Sequence, residues 1–140
     1  MTIVLDTNVV LQARCPLRPY SAIILALADG QFILAVSTAI FLEYEEILTQ
    51  RTGAERWRIF AAVLEASAAV HGNVRHVEPS FHFHLITADP DDDKFADCAI
   101  AVEADWIITE DSHFGVLRGA GHRPQPVTPA EFIARHLGAA

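Results

Sequence analysis

The stretch Thr2-Ile3-Val4-Leu5-Asp6 decides the fold of this chain. Its consecutive apolar residues, with β-branched members among them, are typical of a strand buried on both faces in the middle of a parallel sheet covered by helices. The run ends at an acid, and reactive groups in open α/β sheets lie just past the carboxyl ends of central strands. Asp6 is therefore the first candidate functional residue. Its alternative role is to cap the following helix.

Strands and helices alternate along the rest of the chain. Further strands are predicted at residues 32–36, 74–77 and 106–109, and the last of these is again a buried type that ends in acids. Helices are predicted at residues 21–28, from a cap at Ser37 or Thr38 to about residue 50, at 54–70, at 91–103, and after a cap at Thr128. Residues 9–19 are expected to be irregular, and residues 79–90 to be a connector. This alternation predicts a parallel α/β sheet.

Length and composition limit the class of protein. A chain of 140 residues fits one domain and needs no disulfide or structural metal to fold. Cys15 and Cys98 lie far apart and without CxxC spacing, so we expect both to be small buried hydrophobic residues. No apolar run approaches the ~18 residues of a membrane span, and no signal peptide is recognisable, so a cytoplasmic protein without membrane contact is expected.

The net charge is −8, from 18 acids and 10 bases, which is unusual for a protein that binds nucleic acid. If several acids converge on one pocket, however, bound divalent cations carry positive charge to a phosphate. The net charge therefore does not separate a metal-dependent nuclease from an ordinary acidic protein.

Four acids are candidates for such a pocket. Asp6 and Asp111 end parallel strands, so their side chains lie at the same edge of the sheet. Glu43 flanks the apolar stripe of its predicted helix, although a solvated helix face is an equal alternative. Asp97 lies in a helix that is apolar almost all round, where a lone carboxylate needs a cation or a hydrogen bond to a helix end. Asp93 precedes Asp97 by four residues on the same helix face.

Clusters of carboxylates bind hard cations such as Mg²⁺ or Mn²⁺, which engage phosphate oxygens and assist phosphodiester hydrolysis. Neither a GxxxxGK[ST] phosphate loop nor a GxSxG nucleophile elbow is present. His82 and His84 are expected to face solvent, whereas His113 is a candidate for contact with a substrate phosphate. Arg14 and Arg18 are candidates for contacts with a nucleic-acid backbone, with a solvated loop as the alternative.

Five short motifs follow one another in the chain: Val4-Leu5-Asp6-Thr7-Asn8, then Ser37 with Phe41-Leu42-Glu43-Tyr44, then Asp89-Pro90-Asp91-Asp92-Asp93-Lys94-Phe95, then Ile108-Thr109-Glu110-Asp111, and Thr128-Pro129-Ala130-Glu131-Phe132. In this order and at these spacings they resemble a PIN domain, in particular the group of toxin components related to VapC-type toxins. The resemblance covers nearly the whole chain. It implies a single PIN domain over residues 1–140, built as a three-layer α/β/α sandwich with a central parallel sheet.

The resemblance also implies an activity and a set of site residues. Its members are mostly Mg²⁺- or Mn²⁺-dependent ribonucleases, and the toxins among them cleave RNA, are held inactive by a cognate antitoxin and often form homodimers. The implied catalytic metal ligands are Asp6, Glu43, Asp97 and Asp111. Members of the group vary at the third acid, and the acidic run that begins at Asp89 can share the ligand role, so Asp93 is a further candidate ligand beside Asp97. The implied supporting residues are Thr7, Asn8 and Thr109.

Other α/β proteins also place an acid after the first strand. A haloacid-dehalogenase-type phosphatase has a second Asp two residues later, where this chain has Asn8. A response-regulator receiver has a phosphorylatable Asp in mid-chain and a Lys after a late strand, and neither is recognisable. The alternative from another class is a PIN-like module that binds RNA or protein without cleaving it. A complete set of acids favours the nuclease.

Overall fold

The computed structural model of the protein describes residues 1–14, 17–86, 89–120 and 123–137. Within these ranges, five parallel strands form one sheet in the order β3-β2-β1-β4-β5. The strands are β1 (Thr2–Leu5), β2 (Ile33–Val36), β3 (Val74–His76), β4 (Trp106–Ile108) and β5 (Gln125–Val127). Strand β1 lies at the centre, and its apolar residues Ile3, Val4 and Leu5 are fully buried. The predicted central strand is confirmed.

Helices flank this sheet, which confirms the predicted α/β sandwich. They are α1 (Thr7–Ala13), α2 (Ser21–Ala28), α3 (Thr38–Thr52), α4 (Ala54–His71), α5 (Asp93–Ala101) and α6 (Pro129–His136). Two 3₁₀ segments, Pro90–Asp92 and Ser112–Ala120, precede α5 and follow β4. Helix α5 packs against β1, β2 and β4, and α3 packs against α1, α4 and α5.

The ends of the helices follow the capping residues in the sequence. The Ser37 hydroxyl accepts a hydrogen bond from the Ile40 amide at 3.2 Å, and the Thr128 hydroxyl accepts one from the Glu131 amide at 3.2 Å. Gly30 follows α2 with a φ of 77°, a conformation that glycine adopts without steric cost. These contacts confirm the predicted caps of α3 and α6.

Two elements differ from the prediction. Helix α1 occupies a range that was expected to be irregular, because Val9, Val10 and Ala13 have a buried surface to pack against that the local pattern does not reveal. Strand β5 was not predicted, since it has three residues and contains Pro126. Proline removes a backbone donor but is tolerated on an edge strand, which β5 is.

Cys98 is a free, fully buried thiol in α5, as expected of a small hydrophobic residue, and burial raises its pKa to about 12. Cys15 lies outside the described residues. No helix in the described ranges is both long and apolar enough to cross a membrane.

Candidate metal centre

The centre of the candidate site is Asp6, which leaves the sheet directly after β1. Leu5 pairs with Ile108 of β4, so the next residues of both strands emerge side by side. The Asp6 amide donates to the Ile108 carbonyl at 3.0 Å, and the Thr109 hydroxyl donates to Asp6 Oδ2 at 2.7 Å. Although Asp6 stands at the cap position of α1, its side chain makes no capping bond. The capping alternative for Asp6 is therefore wrong.

Asp111 is held beside Asp6 by the turn that follows β4. The Asp111 amide donates to the Thr109 hydroxyl at 2.9 Å, and Asp111 Oδ1 accepts from the His113 amide at 2.9 Å. Burial raises the pKa of Asp6, and the negative charges of Asp111 and Glu43 raise it further, against the opposing Thr109 hydrogen bond. The structure thus brings Asp6, Glu43 and Asp111 together at one edge of the sheet.

Glu43 reaches this edge from α3 and is held by two contacts. The Thr7 hydroxyl donates to its Oε2 atom, and its Oε1 atom lies 2.6 Å from the Lys94 ammonium group. Thr7 therefore supports Glu43 and Thr109 supports Asp6, while the exposed side chain of Asn8 lines the cavity beside them. Lys94 is a residue of the site that the sequence did not indicate. Its charge offsets that of Glu43.

The fourth acid of the cluster is Asp92, at the end of the first 3₁₀ segment. It is only 9% exposed. Burial raises its pKa to about 7, with further contributions from the charges of Asp6, Asp111 and Asp89, in that order. Its Oδ2 atom is buried and has no hydrogen-bond partner in the described structure. A carboxylate in this position needs a proton or a cation.

Asp97, in α5, makes its contacts with the connector between β3 and α5. Its Oδ1 accepts from the Phe83 amide at 3.0 Å, and its Oδ2 lies 3.2 Å from His82 Nδ1. Neither oxygen contacts Asp6, Glu43 or Asp111. Asp92 is instead the acid on which the charges of Asp6 and Asp111 act, and the ligand role of Asp97 stays a prediction.

Asp93 shares the face of Asp97. Its Oδ1 accepts from the Ile86 amide at 2.9 Å, and its Oδ2 lies 3.7 Å from His84 Nδ1. Successive helical residues are rotated by about 100°, so Asp92 projects from another side than Asp93 and Asp97. Asp93 and Asp97 thus hold the connector between β3 and α5 in place, with the exposed His82 and His84 as partners.

A cavity of about 490 Å³ opens beside Asp6 and Asp111. Arg14 and Arg18 line it, so the structure places both predicted basic residues next to the acids. Arg51, near the end of α3, lines the same cavity and was not predicted. The remaining lining residues are Asn8, Leu11, Gln12, Thr52 and Glu110. The three arginines therefore place positive charge beside the acids.

The residues of this cluster fit a divalent cation. Their ligand atoms are carboxylate oxygens, which hard cations prefer, and the Oδ2 atom of Asp92 is buried without a partner. Burial is the main cause of the raised pKa of Asp6 and of Asp92, and the charge of Asp111 raises both further. A bound cation would offset these effects, because it favours the ionised carboxylates. The charges of Asp6 and Asp111 act on Asp92, so these three carboxylates would be the residues to hold such an ion, with Glu43 beside them.

The raised pKa of Asp92 predicts how stability depends on pH in the absence of metal. The folded chain holds this proton with a pKa of about 7, against 3.8 for an ordinary aspartate, so protonation favours the folded state. Stability should therefore fall as the pH rises from about 4 to about 7, with no further loss from this group above that range. Urea unfolding in chelator at about pH 5 and about pH 8 should give a smaller difference for Asp92→Asn than for wild type. Equal differences would contradict the assignment.

A family model described as a PIN domain matches residues 2–113, a range that includes every acid of the cluster. No curated protein matches the chain, and no solved structure does. The matched family has a nuclease-type fold, and among the described residues Asp89, Asp92 and His113 form a group that could bind a metal.

Proposed function

Since this chain belongs to the PIN domain family, we propose that it is a divalent-metal-dependent endoribonuclease that hydrolyses the phosphodiester bonds of RNA. The observation that carries the proposal is the group of buried acids at the carboxyl edge of the sheet, with Asp92 Oδ2 lacking a partner. Mg²⁺ or Mn²⁺ suits such ligands.

Each residue has a distinct task in this proposal. Asp6, Asp92 and Asp111 hold the cation, and the Thr109 hydroxyl fixes the orientation of Asp6 through its 2.7 Å hydrogen bond. When bound, such an ion polarises a phosphoryl oxygen, supplies hydroxide at neutral pH and offsets charge on the leaving oxygen. Burial of Asp6 strengthens its electrostatic interactions, because the surrounding protein screens charge less than water does.

Lys94 and Glu43 form the side of the centre nearest α5. The ammonium group of Lys94 lies 2.6 Å from Glu43 and is a donor that a phosphate oxygen can use. Glu43 thereby has two possible functions, a direct ligand of the cation or an anchor for Lys94. Comparing Lys94→Ala with the double variant Lys94→Ala/Glu43→Gln separates them. If Glu43 only anchors Lys94, its replacement has no further effect once Lys94 is gone.

The test of the proposal is cleavage of a mixed RNA pool by the purified chain. We expect products with Mg²⁺ or Mn²⁺ and none after excess chelator is added, with activity restored by returning the metal. Cleavage that persists in chelator would refute the metal-dependent mechanism. RNA binding without cleavage, across many RNAs and both metals, would instead favour the PIN-like binding module.

The arginines of the cavity are expected to bind the RNA backbone. Changing Arg14, Arg18 and Arg51 together to Ala should weaken binding and reduce the salt dependence of the association constant by roughly 0.7 per lost phosphate contact with single-stranded RNA. Fluorescence anisotropy at several salt concentrations measures both effects. Arg58→Ala is the matched control, because Arg58 pairs with Glu55 on α4 and does not line the cavity. An unchanged salt slope in the triple variant would place RNA elsewhere.

The finer biological role proposed is that of the toxin in a toxin-antitoxin pair. This role rests on the resemblance of the five sequence motifs to VapC-type toxins. The same resemblance implies a cognate antitoxin, a homodimer and action on cytoplasmic RNA. Induced expression of the chain in a bacterial host should arrest growth, and Asp6→Asn should not. Normal growth with soluble, RNA-cleaving protein would refute the toxin role while leaving the nuclease intact.

A further inference from the structure

We propose that Asp89, Asp92 and His113 form a second divalent-ion position, which shares Asp92 with the all-oxygen set of Asp6, Asp92 and Asp111, and that this position selects Mn²⁺ over Mg²⁺. Its catalytic meaning rests on the proposed nuclease function, but its occupancy can be measured without any activity. The position differs from the first in having a histidine nitrogen among its ligands.

The three side chains already lie close to coordination distance. One carboxylate oxygen from each aspartate and one ring nitrogen of His113 all lie within 4.8 Å of one another. Ligands on opposite sides of an ion with bonds of ~2.1 Å lie ~4.2 Å apart, so only a small inward movement closes the set. His113 Nδ1 lies 3.7 Å from Asp92 Oδ2 and 3.2 Å from Asp111 Oδ1.

The two atoms that face each other make no hydrogen bond in the described structure. They are Asp92 Oδ2 and His113 Nδ1, and both are buried. Buried polar atoms in native proteins nearly always have a partner, and exceptions mark an ion or a functional group. A cation placed between them accepts the lone pairs of both atoms at once.

Backbone contacts hold these residues in place without using the facing atoms. Asp89 Oδ1 accepts from the Asp91 amide at 3.1 Å, and the Asp89 carbonyl accepts from the Asp92 amide at 3.0 Å. The His113 amide donates to Asp111 Oδ1 at 2.9 Å. The ligand atoms are therefore presented by two short turns, one before α5 and one after β4.

The ligand chemistry decides which ion this position prefers. Mg²⁺ favours oxygen ligands and gives up its water reluctantly, whereas imidazole nitrogen suits first-row transition ions. Mn²⁺ accepts both carboxylate and imidazole ligands. We therefore expect wild-type protein to bind Mn²⁺ at this position at least about tenfold more tightly than Mg²⁺.

Electron spin-echo spectroscopy of bound Mn²⁺ tests the proposal, because a coordinated imidazole adds ¹⁴N modulation to the signal. Wild-type protein should show this modulation, and His113→Asn should lose it. His82→Asn is the matched control, since His82 is a second exposed histidine that also lies beside an aspartate, and it should retain the modulation. Modulation that disappears in His82→Asn but not in His113→Asn would overturn the assignment.

Affinity measurements provide a second test that does not require His113 to be replaced. Asp89→Asn keeps an oxygen that can accept from the Asp91 amide, so its turn should remain folded. Calorimetry should show about a tenfold loss of Mn²⁺ affinity and a change in Mg²⁺ affinity below about twofold. Equal losses for both ions would overturn the selectivity.

The failure of this inference is distinguishable from failure of the proposed function. Wild-type protein that binds Mn²⁺ without ¹⁴N modulation would overturn the His113 position and leave the all-oxygen centre standing. Wild-type protein that binds neither ion would overturn both.

Discussion

Replacing Asp6 with Asn is expected to lower the rate of metal-dependent RNA cleavage by about two to three orders of magnitude. A catalytic metal contributes several kcal/mol to the transition state, and each ~1.36 kcal/mol corresponds to a tenfold change in rate. Asn keeps the size of the side chain and an oxygen that can accept the Thr109 hydrogen bond, so the fold should survive. The lower cleavage rate would therefore result from the loss of a metal ligand and not from altered packing around Asp6.

RNA binding by Asp6→Asn should be retained, because the substitution removes a negative charge near the phosphate. Fluorescence anisotropy measures binding, and gel analysis of a defined RNA measures cleavage. Glu45→Gln is the matched control, since Glu45 is exposed on the same helix as Glu43 and has no contact with the cluster in the described structure. Parallel losses of binding and cleavage would assign Asp6 to RNA binding and contradict the mechanism.

The second large effect is the response of stability to metal, which separates Asp92 from Asp97. At a free ion concentration of about 100 times the dissociation constant, binding to the folded state adds ~2.7 kcal/mol. For a chain of this length that corresponds to a rise in Tm of roughly 8 °C. Asp92→Asn should lose most of this rise, because Asp92 faces Asp6 and Asp111.

Asp97→Asn should behave in the opposite way. It keeps the metal response, but the metal-free protein should be destabilised by about 1 kcal/mol, because the charge that accepts from the Phe83 amide and faces His82 is gone. Differential scanning fluorimetry with and without Mn²⁺ measures both quantities. A normal response in Asp92→Asn together with a lost response in Asp97→Asn would restore Asp97 as the ligand.

The sequence was sufficient to predict four of the five strands and the acids that follow β1 and β4. Buried apolar runs predicted β1 and β4, and the parallel arrangement placed Asp6 and Asp111 at one edge, as the structure confirms. The helical wheel singled out Glu43 over Glu45 and Glu46, because a residue that flanks the buried stripe reaches the sheet. Local pattern and topology were enough in these cases.

The acid contributed by the region of α5 could not be identified from local pattern and topology. A carboxylate in an apolar helix needs a partner, and the sequence offered no nearby cation for Asp97. Its partners are an amide and a histidine of the connector, Phe83 and His82, and no periodicity reveals that a loop will fold back onto α5. Asp92 was overlooked because acids in a first helical turn are favourable without any other function. In the 3₁₀ turn before α5 the rotation per residue differs from that of an α-helix. The direction in which the Asp92 side chain points was therefore not predictable from the sequence.

Long-range charge partners were equally hidden. Lys94 and Glu43 are 51 positions apart and belong to different helices, so only the packing of α3 on α5 brings them together. Arg51 reaches the cavity from the last turns of α3 for the same reason. A sequence indicates which residues can carry charge into a site, and the tertiary fold decides which of them do.

The central claim is that a cation held by Asp6 and its neighbouring acids carries the hydrolysis. The rate of cleavage of one defined RNA, measured against Mn²⁺ concentration for wild type and Asp6→Asn side by side, tests it most directly. We predict a rate that rises and saturates with Mn²⁺ for wild type, is abolished by chelator, and stays near background for Asp6→Asn at every concentration. Equal cleavage by the two proteins, or wild-type cleavage that is independent of Mn²⁺, would contradict the claim.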